Sequence, residues 1–219
     1  MAMEQTPLDR RTDQLGLACY KIRQNIDIFR IIALNVEKLK AVAASENFWG
    51  FTQSQAQIYV AITLAAVFEK NDANFTLCSI PAIICDLPDD FPNADHSQFE
   101  KLLEKHGSKV NPTSARESVR AAYRAITMKH KASIDQIITI RNKRACHLEL
   151  LEPGLLESWF PSFDELERLW EFGVDVYELL HHEFNNVGPA LMPRRVQVGL
   201  IRTLKALGVE NPQEDYPNE

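Results

Sequence analysis

The fold class follows from residues 114–146, which read SARESVRAAYRAITMKHKASIDQIITIRNKRAC. Ser114 is followed three positions later by Glu117, the pattern of a capping box that begins a helix. Apolar residues then recur at helical spacing, so that they share one face of a helix. These residues are Val119, Ala122, Ile126, Ile134 and Ile137. The stretch therefore predicts one long amphipathic helix.

Helix signals also dominate the rest of the chain. A Ser or Thr followed three positions later by Glu or Gln predicts helix starts at Thr52, Ser97 and Ser162. Gly107 and Gly208 predict helix ends, because glycine readily adopts the left-handed conformation that closes a helix. The predicted helices span residues 13–44, 52–70, 97–107, 114–146, 162–186 and 194–207, and residues 47–50 separate the first two. Residues 76–85 are short and apolar and can form a helix or a strand, of which a short helix is favoured.

No segment reads as a convincing strand, and the chain has only eight glycines and no hairpin dipeptide between alternating runs. The sequence therefore predicts an all-α fold, an elaborated up-and-down bundle of six to seven helices. We expect the bundle to span residues 13–187. Residues 190–219 are expected to form a short helix and an acidic tail that is loose from Glu210 onward.

Composition places the chain among ordinary globular proteins. It has 219 residues, of which 45% are hydrophobic and 25% charged, so disorder is not expected. The first residues carry charges rather than an apolar signal segment, and no stretch is apolar enough to span a membrane. Four cysteines without a C-x-x-C pair indicate buried thiols rather than a zinc site or disulfide framework. We therefore expect a cytoplasmic protein without membrane contact.

Charge is distributed unevenly along an acidic chain whose net charge is −6. Residues 116–144 contain eight basic and two acidic residues, a local charge of +6. Residues 149–183 contain ten acidic residues and one basic residue, a local charge of −9. A basic stretch in an acidic protein favours a confined anion site. The alternative is that the two segments are neighbouring helices whose charges pair.

The end of the long helix carries the motif with chemical meaning, IRNKRACHL over residues 140–148. Arg141, a polar residue at Asn142, four further positions and His147 form a pattern that resembles the signature of the HEPN superfamily, the nucleotide-binding domains of higher eukaryotes and prokaryotes. The likeness is greatest to the abortive-infection group of the U type. It extends to the first two helices and to residues 75–85 and 135–148. Cys146 departs from the alanine that often precedes the histidine.

This resemblance implies a helical domain that binds nucleotides or cleaves RNA, formed by two subunits that pair through the motif. A nucleotidyltransferase-like antitoxin is a partner that the resemblance also implies. In such a site His147 is the catalytic acid or base, Arg141 stabilises the phosphate and Asn142 positions the reacting groups. Three further basic residues are expected to bind substrate: Arg124, Lys143 and Arg144.

The residue types fit RNA cleavage on chemical grounds as well. An imidazole titrates near pH 6.5, so it can accept the 2′-hydroxyl proton or protonate the leaving oxygen. A guanidinium stays charged and offers a planar fork of donors to phosphate oxygens. Asn142 can hold a phosphate oxygen or orient the imidazole. This chemistry requires neither a metal ion nor another cofactor.

Helix geometry constrains how Arg141 and His147 can meet. Six residues at about 100° each place the two positions about 120° apart on a continuous helix. They converge only if the helix frays before His147 or if two chains bring their copies together. A homodimer is therefore favoured, since a two-fold axis pairs one patch with itself. Arg144 and His147, three positions apart, form a competing local pair.

Several of these residues also have a structural interpretation. His147 can simply be stabilised at the helix C-terminus, and Arg141 can pair with acids of residues 164–178. Glu69 can reach the motif and orient Arg141 or His147, or it can lie in solvent. The stripe Arg116, Arg120 and Arg124 can guide RNA or pair with acids. Residues 181–183, His-His-Glu, lack the spacing of a zinc motif, so no metal site is expected.

The leading hypothesis is a metal-independent endoribonuclease that acts as a toxin or abortive-infection effector in phage defence. A non-catalytic HEPN-like module that binds a nucleotide or a protein is the alternative. A third possibility is a helical scaffold without any ligand, in which the acidic residues 149–183 pair with the basic helix.

Overall fold

The computed structural model describes residues 6–42, 46–69, 77–93, 95–109, 111, 113–147, 160–184 and 195–213, without the side chains of residues 46–47, 144–147 and 195–197. These residues form α-helices and no β-strand, which confirms the all-α class. The nine helices found in them are α1 (Pro7–Leu34), α2 (Val36–Val42), α3 (Glu46–Val67), α4 (Ile80–Asp86), α5 (Ser97–Lys105), α6 (Ala115–Lys129), α7 (Lys131–His147), α8 (Phe163–Phe184) and α9 (Arg195–Ala206). None of these nine is both long enough and apolar enough to cross a membrane.

The chain divides into two compact units. The first comprises Met1–Cys19 and Ala61–Ala190, and the second comprises Tyr20–Val60 and Leu191–Glu219. Helices α1 and α3 therefore each contribute residues to both units. The domain limits expected from the sequence, residues 13–187 and 190–219, stay a prediction.

An aromatic cluster fixes the end of α3 inside the first unit. Phe68 lies 6.0 Å from Tyr123 of α6 and 6.0 Å from Phe172 of α8, measured between ring centroids. Phe68 and Phe172 are fully buried. Rings at this separation add favourable contacts beyond the burial of their apolar area. Glu69 follows Phe68 directly in the chain. The cluster therefore also fixes the backbone position from which the Glu69 side chain extends.

The long helix predicted over residues 114–146 is divided into α6 and α7 at His130. The five apolar residues that predicted it are all buried. His130 is itself buried, and backbone hydrogen bonds continue on both sides of it, from its N–H to Ile126 O and from Ile134 N–H to its carbonyl. The prediction of one unbroken helix was wrong at this residue only.

Two of the predicted helix starts are confirmed together with their serine caps. The Ser114 hydroxyl accepts a hydrogen bond from Glu117 N–H at 3.2 Å and begins α6. The Ser162 hydroxyl accepts one from Glu165 N–H at 3.3 Å and begins α8. Each bond satisfies a backbone donor that has no partner within the helix.

The start predicted at Ser97 is confirmed, although its side chain is not the cap, and the start predicted at Thr52 is wrong. Ser97 is the first residue of α5, and its N–H donates to the carboxylate of Asp95 at 2.9 Å, so a neighbouring acid provides the acceptor. Thr52 lies inside α3, which begins at Glu46. Its hydroxyl donates to Phe48 O at 2.8 Å, as hydroxyls inside helices often do.

The two glycines expected to end helices do so. Gly107 and Gly208 have φ angles of 74° and 88°, which residues with a side chain rarely adopt. Each is followed by a closing bond, from Ser108 N–H to Leu103 O and from Val209 N–H to Leu204 O. Both closures follow the Schellman pattern.

The second unit is held by its own apolar core and by Asn35. Six buried residues form that core: Ile31, Ile32, Leu39, Ile201, Leu204 and Val209.

Asn35 ends α1, so the helix predicted to reach residue 44 is interrupted here. Its buried amide donates to Gln213 O at 3.0 Å and accepts from Gln213 N–H at 2.7 Å. The expectation of a loose tail from Glu210 is therefore wrong for residues 210–213, and residues 214–219 lie outside the described part.

Three cysteines are described, and all three are free thiols. Cys19 is buried, and burial raises its pKa. Cys85 is exposed, which contradicts the expectation that the thiols are buried. The side chain of Cys146 lies outside the described part.

Gly16 in α1 leaves room for a neighbouring ring. A methyl group at this position would lie 2.4 Å from Cε2 of the buried Tyr177. We predict that Gly16→Ala lowers the free energy of unfolding by about 1–3 kcal/mol, although alanine favours helices, because overpacking forces the ring to move. Urea denaturation monitored by circular dichroism measures this change.

Gly50→Ala is the matched control. Gly50 also lies inside a helix, but a methyl group there would meet no atom within 4 Å. This change should leave stability equal or raise it by up to about 1 kcal/mol through helix propensity alone. If both variants shift the urea midpoint in the same direction, the packing of Gly16 against Tyr177 is not the cause.

Candidate functional site

The motif lies on the last turns of α7, at the edge of the core of the first unit. Ile137 and Ile140 are buried and anchor this part of the helix. Arg141 follows directly and is partly exposed, whereas Asn142 is exposed. Because α7 continues without a break to His147, the backbone does not fray before the histidine. The side chains of Arg144 and His147 lie outside the described part, so their roles stay predictions.

Arg141 is held by an ion pair with Glu69. Its Nη1 lies 2.9 Å from Glu69 Oε1, and the side chains are only 22% and 14% exposed. An ion pair at this low exposure is less screened by solvent than one on the open surface. Of the two interpretations of Glu69, orientation of Arg141 is confirmed and a solvated acid is wrong.

Glu69 is itself positioned by bonds to the backbone at the end of α3. The Tyr123 hydroxyl donates to Phe68 O at 3.1 Å, and burial raises the pKa of Tyr123, which keeps the phenol protonated. The hydroxyl of Ser79 donates to Glu69 O at 3.1 Å. Ser79 is also the N-cap of α4, where its side chain accepts from Ala82 N–H. Hydrogen bonds to two successive carbonyls, those of Phe68 and Glu69, therefore hold the backbone from which the Glu69 side chain extends.

Asn142 contacts Arg141 directly. Its Oδ1 accepts hydrogen bonds from Arg141 Nε at 3.2 Å and Nη2 at 3.0 Å. The guanidinium thus binds Glu69 on one side and Asn142 on the other, while each terminal nitrogen carries a second N–H group that can meet a phosphate oxygen. In this arrangement Asn142 orients the guanidinium, a role that differs from the two expected for it.

The basic stripe of α6 is mostly engaged with its surroundings. Arg116 donates to Leu87 O and pairs with Asp89, both at 2.8 Å. Arg120 pairs with Glu117 on the same helix. Arg124 is exposed, and its role in binding substrate stays a prediction. Lys143 is half-buried and makes a contact within the protein.

Three arginines of α6 and α7 pair with acids that lie outside α8. The ion pairs formed by Arg116, Arg120 and Arg141 go to acids outside α8. In α8, Asp175 pairs instead with Lys105 and His106 of the α5 segment. The hypothesis that Arg141 pairs with residues 164–178 is therefore wrong. Within the described residues, no three His, Cys, Asp or Glu side chains are grouped so as to hold a metal ion.

No protein-family model, no curated protein and no solved structure matches the chain. The interpretation of the site therefore depends on its own geometry and on the motif.

The Arg141–Glu69 pair is expected to stabilise the fold measurably. A double-mutant cycle with Arg141→Ala and Glu69→Ala should give a coupling energy of roughly 1–2 kcal/mol, because the pair is mostly buried. Urea denaturation of the four proteins measures it. The exposed pair Lys40–Glu37 of α2, 47% and 80% exposed, is the control and should give under about 0.5 kcal/mol. Equal coupling in the two cycles would contradict a positioned guanidinium.

Proposed function

We propose that this protein is a metal-independent endoribonuclease of the HEPN type. The observation that carries the proposal is the oriented guanidinium of Arg141, held by Glu69 and Asn142. It lies six positions before His147 on an unbroken helix. An oriented guanidinium suits the cleavage of a phosphodiester, because hydrogen-bond donors that are already in place stabilise the negative charge that develops in the transition state.

The reaction is an internal transfer at phosphorus. His147 removes the proton of the ribose 2′-hydroxyl, whose oxygen attacks the adjacent phosphorus. The bond to the 5′-oxygen breaks, and that oxygen takes a proton as it leaves. The products carry a 2′,3′-cyclic phosphate and a 5′-hydroxyl. Arg141 offsets the phosphate charge, while Arg124, Lys143 and Arg144 draw in the RNA backbone.

A homodimer is part of the proposal. Because α7 is helical through His147, positions 141 and 147 are about 120° apart around its axis, and one chain does not bring them together. A two-fold axis near the end of α7 places Arg141 of one protomer opposite His147 of the other. The active site is then shared between two copies.

The biological role that suits such an enzyme is a toxin or abortive-infection effector, located in the cytoplasm, that degrades the RNA of its own cell during phage attack. An enzyme of this kind needs restraint in uninfected cells. A nucleotidyltransferase-like antitoxin is the partner we propose for that restraint.

A non-catalytic module is the second candidate, and one observation favours it. Arg141 is already neutralised by Glu69, with both side chains mostly buried, so the pair can serve binding or stability alone. In that case the same region holds a nucleotide or a protein partner without cleaving it. Arg141→Ala would then weaken binding while His147→Ala has little effect.

RNA cleavage in the presence of a chelator is the first test. We predict that the wild type cleaves single-stranded RNA with excess EDTA and leaves 2′,3′-cyclic phosphate ends, identified by mass spectrometry. His147→Ala should lower the rate by about 10²–10⁴-fold, since general acid–base catalysis is lost. Arg141→Ala should lower it by about 10²–10³-fold, the loss typical of one transition-state donor.

Arg202→Ala removes an exposed arginine on α9 and is the control, with an unchanged rate expected. Expression in cells adds a second readout, because wild-type toxicity should disappear with His147→Ala. If RNA stays intact under all conditions and His147→Ala is as toxic as the wild type, the nuclease proposal is wrong.

Mixing two inactive variants tests the shared site. Arg141→Ala and His147→Ala protomers, denatured together and refolded, should recover activity, because one of the two sites in each mixed dimer is intact. With random pairing, about a quarter of the wild-type rate is expected. Native mass spectrometry shows whether mixed dimers form. If they form and no activity is recovered, Arg141 and His147 either act within one chain or take no part in catalysis.

A further inference from the structure

A groove of about 290 Å³ lies between α5 and α8 in the first unit and shares no residue with the proposed nuclease site. Its apolar lining consists of Leu102 and Leu179, which are 4% and 6% exposed. Charged residues line it on both helices, Lys101 and Lys105 on α5 and Asp175 and Glu178 on α8. The groove therefore combines an apolar floor with both signs of charge.

The two helices run antiparallel along the groove. Before α5 begins, Asn93 donates to Glu183 near the end of α8 at 2.9 Å. At the end of α5, Lys105 Nζ lies 2.8 Å from Asp175 Oδ1 in the middle of α8. On each helix the lining residues follow the spacing of one face, so the groove follows the helices for about 10 Å.

One end of the groove is closed by a satisfied acid. Asp175 binds Lys105 at 2.7 Å and His106 at 2.7 Å. Burial raises the pKa of Asp175, but the hydrogen bonds from His106 and Lys105 outweigh burial and lower it overall. This carboxylate is therefore ionised and already compensated, so it does not need a ligand.

The middle of the groove differs, because its two charged side chains, Lys101 and Glu178, are both exposed. Neither has an ion-pair partner within the described residues, although both line the same cavity. Burial and the neighbouring Asp175 raise the pKa of Glu178 by more than Lys105 lowers it, so additional positive charge beside this carboxyl is favourable. Lys101 lines the same cavity, and its positive charge favours an anion.

We propose that this groove binds a small zwitterion, a molecule with an ammonium group and a carboxylate joined by an apolar segment. The ammonium binds Glu178, the carboxylate binds Lys101, and the segment between them covers Leu102 and Leu179. A cavity of about 290 Å³ lies just below the roughly 300–1,000 Å³ of pockets that hold drug-sized ligands, which suits a smaller molecule of this kind.

Calorimetric titration with ω-amino acids tests the proposal. The probes are 4-aminobutanoate, 5-aminopentanoate and 6-aminohexanoate, compared with pentanoate and pentylamine, which each retain one charged end. At least one ω-amino acid should bind at least about tenfold more tightly than both single-charged molecules, because each end contributes a charge-assisted hydrogen bond.

Two variants assign the ends. Lys101→Ala should reduce ω-amino acid binding about tenfold and leave pentylamine unchanged, and Glu178→Gln should do the same while leaving pentanoate unchanged. Lys109→Ala and Glu104→Gln remove exposed charges of the same types outside the groove and should not alter binding. Unchanged melting temperatures show that all four variants are folded.

Three outcomes overturn the proposal: none of the ω-amino acids binds at 10 mM, a single-charged molecule binds as tightly as the best of them, or Lys101→Ala and Glu178→Gln leave binding intact. Because the groove and the nuclease site share no residue, Lys101→Ala should cleave RNA like the wild type. A failure of one proposal therefore leaves the other standing.

Discussion

The ion pair between Arg141 and Glu69 links the end of α3 to the last turns of α7, and the proposed chemistry depends on it. A guanidinium on an exposed helix end samples many rotamers, whereas one bound to a carboxylate and to Asn142 is held in one plane. The carboxylate is in turn held because Tyr123 and Ser79 bind the two backbone carbonyls at the end of α3. The buried aromatic cluster thus fixes the position of the carboxylate that holds Arg141.

Features that depend on neighbouring residues could be predicted from the sequence. The caps at Ser114 and Ser162 and the closures at Gly107 and Gly208 each involve residues within about five positions, and all four were correct. The start at Thr52 was wrong because α3 already begins at Glu46. The helix α5 does begin at Ser97, but Asp95 accepts the N–H of Ser97 and the serine side chain makes no cap. Asn35 was missed for another reason, since its partner Gln213 is 178 residues away and no periodic pattern reports such a contact.

The site shows the same division between local and distant information. Arg141, Asn142 and His147 were predicted as site residues from their spacing alone. For Glu69 the sequence left two interpretations open, contact with the motif or exposure to solvent. Nothing in residues 52–70 indicates which distant side chain its carboxylate contacts. The bonds from Tyr123 and Ser79 that position it were not predicted, and the α5–α8 groove was not either. In both places the partners come from segments far apart in the chain, which only the packing of the core brings together.

A structure of the protein bound to a short RNA whose 2′-hydroxyls are replaced by hydrogen would test the central claim most directly. Without the attacking hydroxyl the RNA stays intact. The account predicts a two-fold dimer in which one phosphodiester lies within hydrogen-bond distance of Arg141 of one protomer and His147 of the partner subunit. A monomer, or a dimer whose bound phosphates lie away from both residues, would contradict it.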